Sequence, residues 1–301
     1  MRKFLYVAVF MATILSTDSK MNPTRQETAL KKPNISFSLE DSIDSTISIA
    51  SFNIRDFGKT KSEKADVMRV LTDIVQQYDI TAIQEVSDIK GETIPYFVAA
   101  LNARGRSYSF VISPRVGKES AAEQYAFVYN TKKIEYTGKS FIWADSYNLF
   151  ERDPFIAQFR SANFDFILVN VHTRPTNAEK EVMALEYVMQ DADNYFADDK
   201  DVIVLGDFNA DGDSFSEKIT NGFRGPQYNW VIDDSQDTTV AKNSNTYDRI
   251  VFKKQFTQED YAGKAGVFRF DSFFGLTQQQ AMTISDHYPV WALFYTNKDT
   301  D

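Results

Sequence analysis

Short apolar runs dominate this chain and predict strands, and three longer stretches carry helical spacing. Ile47 to Ile54, Ile-Ser-Ile-Ala-Ser-Phe-Asn-Ile, alternates apolar with small polar residues, the pattern of a strand with one buried face. Val67, Val70, Leu71, Ile74, Val75 and Tyr78 then recur at helical intervals and predict a helix over 60–78, with Thr60 and Glu63 as a capping box. Ile80–Val86 reads as a second strand and 92–103 as a helix. Residues 107–113 and 124–130 predict a strand pair joined by the polar loop 114–123, and Phe155–Ser161 with Phe164–Val171 a hairpin turning at Ala162-Asn163. The clearest helix is 178–197, with Val182, Leu185, Val188, Met189 and Ala192 on one face. Val202–Leu205, Tyr247–Phe252 and Val290–Tyr295 are further strands, and residues 211–245 read as loop around a short apolar piece at Trp230 to Ile232. The order predicts one α+β domain of two packed mixed sheets with helices outside.

Polar residues gather where these strands end. Asn53, Arg55 and Asp56 close the first strand, Glu85 sits near the end of the second, and His172 follows Val171. Gly206 ends the Val202 strand and releases Asp207, Asn209 and Asp211; Asp248 opens a strand, and Asp286 and His287 precede the last one. Gly, Asp and Asn are ordinary turn residues, and a histidine at a strand end is often structural. A carboxylate inside an apolar strand is different, because it is costly unless paired or bound to a cation.

Composition narrows the chemistry. The 301 residues include 25 Phe and 15 Tyr, ample for a thick core, and no cysteine, which excludes disulfides and thiolate metal sites. A net charge of −9 argues against a tight passive nucleic-acid binder but leaves room for an enzyme that meets a phosphate backbone through a local patch and a metal. With two histidines in the chain and oxygen donors elsewhere, Mg²⁺ or Mn²⁺ is favoured over Zn²⁺. No Walker loop and no Gly-x-Ser-x-Gly is present. A divalent ion, two histidines and amide donors suit phosphate-ester hydrolysis. At the amino end, Met1-Arg2-Lys3 and the apolar run Phe4–Leu15 predict a signal peptide over 1–20, then a polar linker over 21–45, a catalytic domain over 46–296 and a tail over 297–301. The expectation is a secreted or periplasmic monomer with no stable membrane association.

Taken together, Ser-Phe-Asn-Ile-Arg (51–55), Ile-Gln-Glu-Val (83–86), Val-His-Thr-Arg-Pro (171–175), Gly-Asp-Phe-Asn-Ala-Asp (206–211), Asp-Asp-Ser-Gln-Asp-Thr-Thr (233–239), Tyr-Asp-Arg-Ile-Val (247–251) and Ser-Asp-His-Tyr-Pro-Val (285–290) resemble, in order, the endonuclease/exonuclease/phosphatase superfamily and most closely its deoxyribonuclease I branch. The resemblance implies a four-layered α/β sandwich and a divalent-metal-dependent endonuclease acting on DNA with little sequence specificity. It implies that Asn53, Glu85 and Asp286 hold the metal, that His172 pairs with Glu123 and His287 with Asp248 as acid and base, and that Asp207 and Asn209 orient nucleophile and phosphate. Arg55 and Arg152 would contact DNA phosphates, and Asp237 and Thr239 match a structural calcium loop. The chain departs from the branch at Ser87, where an arginine enters the minor groove, at Ala121, where a tyrosine stacks on the sugar, and at Gly212 and Asn245, where disulfide cysteines fall. Two alternatives remain open: a phosphodiesterase or phosphatase of the same superfamily acting on phospholipid or inositol phosphate, and an inactive binding module.

Overall fold

A computed structural model describes residues 45–118 and 122–299. The predicted signal peptide, all but the last residue of the linker, and Ala121 lie outside the described residues. Strands β1 (Thr46–Phe57), β2 (Ile80–Val86), β3 (Tyr108–Ile112), β4 (Gln124–Asn130), β11 (Tyr261–Val267) and β12 (Val290–Tyr295) form one six-stranded sheet in the order β11-β12-β1-β2-β4-β3. Strands β5 (Glu135–Ile142), β6 (Phe155–Ser161), β7 (Phe164–His172), β8 (Val202–Asp207), β9 (Tyr228–Trp230) and β10 (Asp248–Lys253) form the other, in the order β5-β6-β7-β8-β10-β9.

The two sheets share one plan. In each, a single parallel pair, β1 with β2 and β7 with β8, is flanked on both sides by antiparallel neighbours. Alternation along the strands sends one set of side chains between the sheets, where Ile49, Phe127, Phe159, Phe166, Leu168, Ile203, Ile250 and Phe294 make a common core. Burying each such side chain contributes roughly 1.5–3 kcal/mol. The opposite face of the first sheet packs Phe52, Ile54 and Ile83 against helices α2 (Ala65–Val75) and α3 (Thr93–Asn102). The opposite face of the second packs Val169, Val171 and Val204 against α4 (Ala178–Tyr195). The result is the expected four-layered α/β sandwich.

Three local departures have physical causes. The helix expected over 60–78 is interrupted: α1 (Lys59–Ser62) ends with Glu63 as its C-cap, and α2 starts from Lys64, so Thr60 and Glu63 form no capping box. Residues 59–66 carry no large apolar side chain to hold that turn in register with α2. Strands β5 and β11 were not expected; both are sheet edges with half-exposed or exposed residues, where the alternation that marks a strand fades.

Candidate active site

The shared plan of the sheets brings the polar strand ends to one rim. Because β1 and β2 run parallel, Asn53 and Glu85 lie near the same end; antiparallel β12 and β4 begin there, which delivers Asp286, His287 and Glu123. The second sheet repeats this, with His172 and Asp207 at the ends of parallel β7 and β8 and Asp248 at the start of antiparallel β10. Gly206 sets the spacing. Its φ is +150°, and a Cβ there would meet the Val171 carbonyl oxygen at 2.0 Å, so only glycine lets β8 approach β7 beside the His172–Asp207 pair.

Each histidine is backed by its own carboxylate. His172 Nδ1 lies 3.0 Å from Glu123 Oε1, and His287 Nδ1 lies 2.8 Å from Asp248 Oδ2. Both Nε2 atoms are 3.5 Å from the same oxygen, Asp207 Oδ2. All five side chains are buried. Burial disfavours the imidazolium of His287, but Asp248 and Asp207 outweigh it and hold its pKa up to about 10. His172 is likewise raised, with Glu123 overcoming burial. Burial would raise the Asp207 carboxyl, yet His287 and His172 hold it below the usual range. The Asp248–His287 pair shares one proton, which we place on His287 because its second nitrogen also faces Asp207.

Asn53 joins this cluster to a second one. Its amide nitrogen donates to Asp207 Oδ2 and to Glu85 Oε1, each at 3.0 Å. Glu85 Oε2 accepts the Asp56 N–H at 2.9 Å. The backbone is left-handed at Asp56 (φ 51°), Glu85 (φ 59°) and Asn209 (φ 46°), three non-glycine residues held at strained angles around one site. Burial works to raise the Glu85 carboxyl, but His172, the Asp56 N–H and the Asn53 amide keep it ionised and low. Asp286 Oδ2 is 3.2 Å from Arg55 Nη1. Two oxygens here, Asn53 Oδ1 and Asp286 Oδ1, are buried without a hydrogen-bond partner. An orphaned amide oxygen beside a carboxylate kept ionised is the donor set a hard divalent cation takes, so the residues fit such an ion. Asp207, Asp248 and His287 also bring ligand atoms within 4.8 Å of one another, though two of them are already bonded to each other.

Several supporting residues were not singled out in the sequence. Ser285 donates to the Asn53 carbonyl at 2.6 Å and accepts the His287 N–H at 3.1 Å, tying the two halves. Thr238 Oγ1 accepts the Asp248 N–H at 3.2 Å, and Tyr125 Oη accepts the His172 N–H at 3.0 Å. Beneath the site, Gln84 Nε2 donates across the sheets to Asn170 Oδ1 at 2.7 Å. A signal for that pair did exist: Gln84 and Asn170 each interrupt an apolar strand shortly before a site residue. Lys61 Nζ donates to the carbonyls of Arg55 and Ile284, and burial, opposed by Asp56, Asp286 and Glu85, brings its pKa down to about 8.

The remaining expected residues fall as follows. Asn209 donates its amide to the Thr173 carbonyl at 3.0 Å and its N–H to Asp207 Oδ1 at 3.0 Å. Arg55 is half-exposed at the rim. Arg152 is largely buried, with Nε 3.0 Å from Glu123 Oε2 and Nη1 donating to the His172 carbonyl at 3.3 Å, so it belongs to the histidine pair more than to open surface. Asp237 Oδ1 accepts from the N–H and hydroxyl of Thr239, both at 3.1 Å, and Arg269 Nη1 lies 3.6 Å from Oδ2. These contacts hold Asp237 and Thr239 together in one loop.

The model of the Endonuclease/Exonuclease/phosphatase family matches residues 50–287. The chain belongs to that family. Among curated relatives of this family member, human deoxyribonuclease gamma is 34% identical over 257 residues, covering 80% of this chain and 84% of that protein. Deoxyribonuclease-1-like 1 of Cricetulus griseus is 38% identical over 251 residues, covering 80% and 82%. Solved structures of the same fold include D. rerio TDP2 complexed with a single-strand DNA product, with a TM-score of 0.57 and 19% identity over 83% of this chain and 99% of that one. A mannosyl-6-phosphatase from Bacteroides thetaiotaomicron superposes with a TM-score of 0.53 and 16% identity over 82% and 98%. At that distance the structural matches establish the sandwich fold and nothing about substrate.

Proposed function

We propose that the protein is a divalent-metal-dependent endonuclease that hydrolyses DNA phosphodiester bonds. The observation that carries this reading is the convergence of two carboxylate-backed imidazoles on one Asp207 oxygen, next to an amide and carboxylate set with orphaned oxygens. The curated deoxyribonuclease relatives, matched over most of their length, support DNA as the substrate.

Asn53, Glu85 and Asp286 would hold a Mg²⁺ or Mn²⁺ ion. When bound, such an ion neutralises phosphate charge as a Lewis acid. His287, oriented by Asp248, takes the proton from the attacking water; the water oxygen bonds to phosphorus on the side opposite the leaving group. His172, oriented by Glu123, gives its proton to the 3′ oxygen as the P–O3′ bond breaks, leaving a 3′ hydroxyl and a 5′ phosphate. We assign the base to His287, whose Nδ1 is held by Asp248 at 2.8 Å with Nε2 turned to Asp207; with its pKa held up to about 10 it accepts the water's proton in the fraction of molecules in which the ring is neutral, so nicking should rise with pH below that value. Asp207, fixed by Asn53 and the Asn209 N–H, orients the water between the rings. Asn209 would donate to the scissile phosphate, and Arg55 and Arg152 would add positive charge to an otherwise acidic rim.

Supercoiled-plasmid nicking tests this directly. Nicking with Mg²⁺ or Mn²⁺ that stops in EDTA is the expected result. Nicking that persists in EDTA removes the metal, and no cleavage with any metal removes the nuclease reading.

A further inference from the structure

We infer that a cleft walled by Arg174, two residues past His172, is a subsite for a nucleotide flanking the scissile bond, with Lys118 and Arg174 as its phosphate contacts and Tyr147, the chain neighbour of the wall residue Asn148, as a stacking surface next to it. The inference rests on the nuclease reading above and deepens it. The cleft encloses about 380 Å³ between the loop after β5 and the turn after β7, and Lys118, Asn148, Glu151, Arg174 and Glu181 are among its walls. It adjoins the catalytic cluster through the chain itself. Arg174 follows His172 by two residues, and Glu151 precedes the Arg152 that touches Glu123.

Its walls are held in place before any ligand arrives. Glu181 is 1% exposed and sits beneath them; its oxygens accept the N–H groups of Arg174 at 3.1 Å and Glu151 at 3.4 Å. Asp145 clasps the next turn, accepting the N–H groups of Phe150 at 2.8 Å and Tyr147 at 3.3 Å, and Asn148 stands there at φ 55°. Lys118 Nζ donates to Asn148 Oδ1 at 2.8 Å and so fastens a third segment to the same turn. A buried carboxylate spent on the Arg174 and Glu151 N–H groups and on the Asn177 side-chain amide, at 3.4 Å, fixes loop shape, and Lys118 and Arg174 remain the exposed cations of the cleft.

Tyr147 stands at the tip of this clasped turn and is 83% exposed. A large aromatic ring held in water by a rigid loop, beside a lysine and an arginine, is the combination single nucleotides bind: the base stacks and the phosphate meets the cation. Arg174 lies 3.3 Å from Glu151 and is 56% exposed while the Glu151 side chain is 14% exposed, so a phosphate must compete with that carboxylate for the guanidinium. Glu151 repels a phosphate, which predicts that the site engages chain already held by the catalytic groups and binds free nucleotides weakly.

The test uses the full chain and three exposed substitutions, Tyr147→Ala, Lys118→Ala and Arg174→Ala. Cleavage of a twelve-nucleotide DNA and hydrolysis of bis(p-nitrophenyl) phosphate, which carries no flanking nucleotide, are measured in parallel. Each variant should raise KM for the oligonucleotide, by about tenfold for Tyr147→Ala, with hydrolysis of the small diester unchanged. The two cation variants should each flatten the salt dependence of oligonucleotide binding by about one unit of slope. Unchanged oligonucleotide KM and unchanged salt slope in all three overturn the subsite. Absence of hydrolysis of either substrate by the unsubstituted protein overturns the nuclease reading instead.

Discussion

The Asn53 amide nitrogen donates to the Asp207 carboxylate at 3.0 Å, joining β1 of one sheet to β8 of the other at the point where acid–base and metal-fitting groups meet. The same nitrogen also serves Glu85, so its Oδ1 is the atom left over. Asn53→Ala should lower the nicking rate about 10- to 100-fold, the usual cost of losing a group that orients a metal site. Asn53→Asp places a third carboxylate against Glu85 and Asp207. It should lower Tm in EDTA and recover with Mg²⁺ by more than the unsubstituted protein does. Equal Mg²⁺-dependent Tm shifts in all three proteins would take Asn53 out of the metal group.

The two histidines make separable predictions. His172→Ala and His287→Ala should each reduce kcat by about 10²–10⁴-fold, the usual contribution of a general acid or base. A substrate with a p-nitrophenolate leaving group needs little protonation. It should therefore recover much of the loss in His172→Ala and little of it in His287→Ala. Recovery in the opposite variant would exchange the two roles.

Charge in the site also sets a pH dependence of stability. His287 is held at about 10, above its ordinary value of 6.5. A group raised on folding contributes fully below its unfolded pKa and loses that contribution as pH rises through the folded one, here between about 6.5 and 10. Glu85 and Asp207 are held low, so their contribution is present above the ordinary carboxylate range and is lost as pH falls. The metal-free protein should be most stable between about pH 5 and 6.5. The Tm difference between it and His287→Gln should shrink from pH 6 to pH 10, and a difference that grows over that range would contradict the raised imidazolium.

How much of this was legible in the sequence depended on burial. Strands with a buried face, such as Ile80–Val86 and Phe155–Ser161, announce themselves by apolar runs, and the structure keeps those bounds. Edge strands β5 and β11 do not, since their residues meet water. The pairings His172–Glu123 and His287–Asp248 follow from resemblance to a family, and the structure brings both pairs together. The duplicated plan of the two sheets left no trace as a sequence repeat. A sheet's topology constrains which positions are apolar, not which apolar residue fills them, so Asn53 and His172 can occupy equivalent strand ends with no shared side chain. The contact of Arg152 with Glu123 was not legible, because spacing says nothing about which way a long side chain turns.

Gly206 is where backbone geometry and chemistry are most tightly linked. Gly206→Ala drives a Cβ into the Val171 carbonyl, a clash between two backbones that no side chain can relieve. Strand β8 must move away from β7, and Asp207 with it. A loss of Tm together with a loss of nicking is the expected outcome; normal activity at normal Tm would mean the strands can shift without disturbing the histidines.

Ser87 offers a gain-of-function prediction. Its side chain is exposed just past Glu85, while its N–H donates to the Phe57 carbonyl at 3.1 Å, so the backbone is anchored and the side chain is free to project. Arginine inserted into a minor groove is a known source of duplex affinity. Ser87→Arg should tighten binding to duplex DNA, steepen its salt dependence by about one unit of slope, and leave single-strand binding nearly unchanged. The backbone anchor to Phe57 involves no Ser87 side-chain atom, so the substitution should not lower Tm. Fluorescence anisotropy over a salt series with duplex and single-stranded forms of one sequence reads the effect, and an unchanged duplex slope would mean that this rim does not approach DNA.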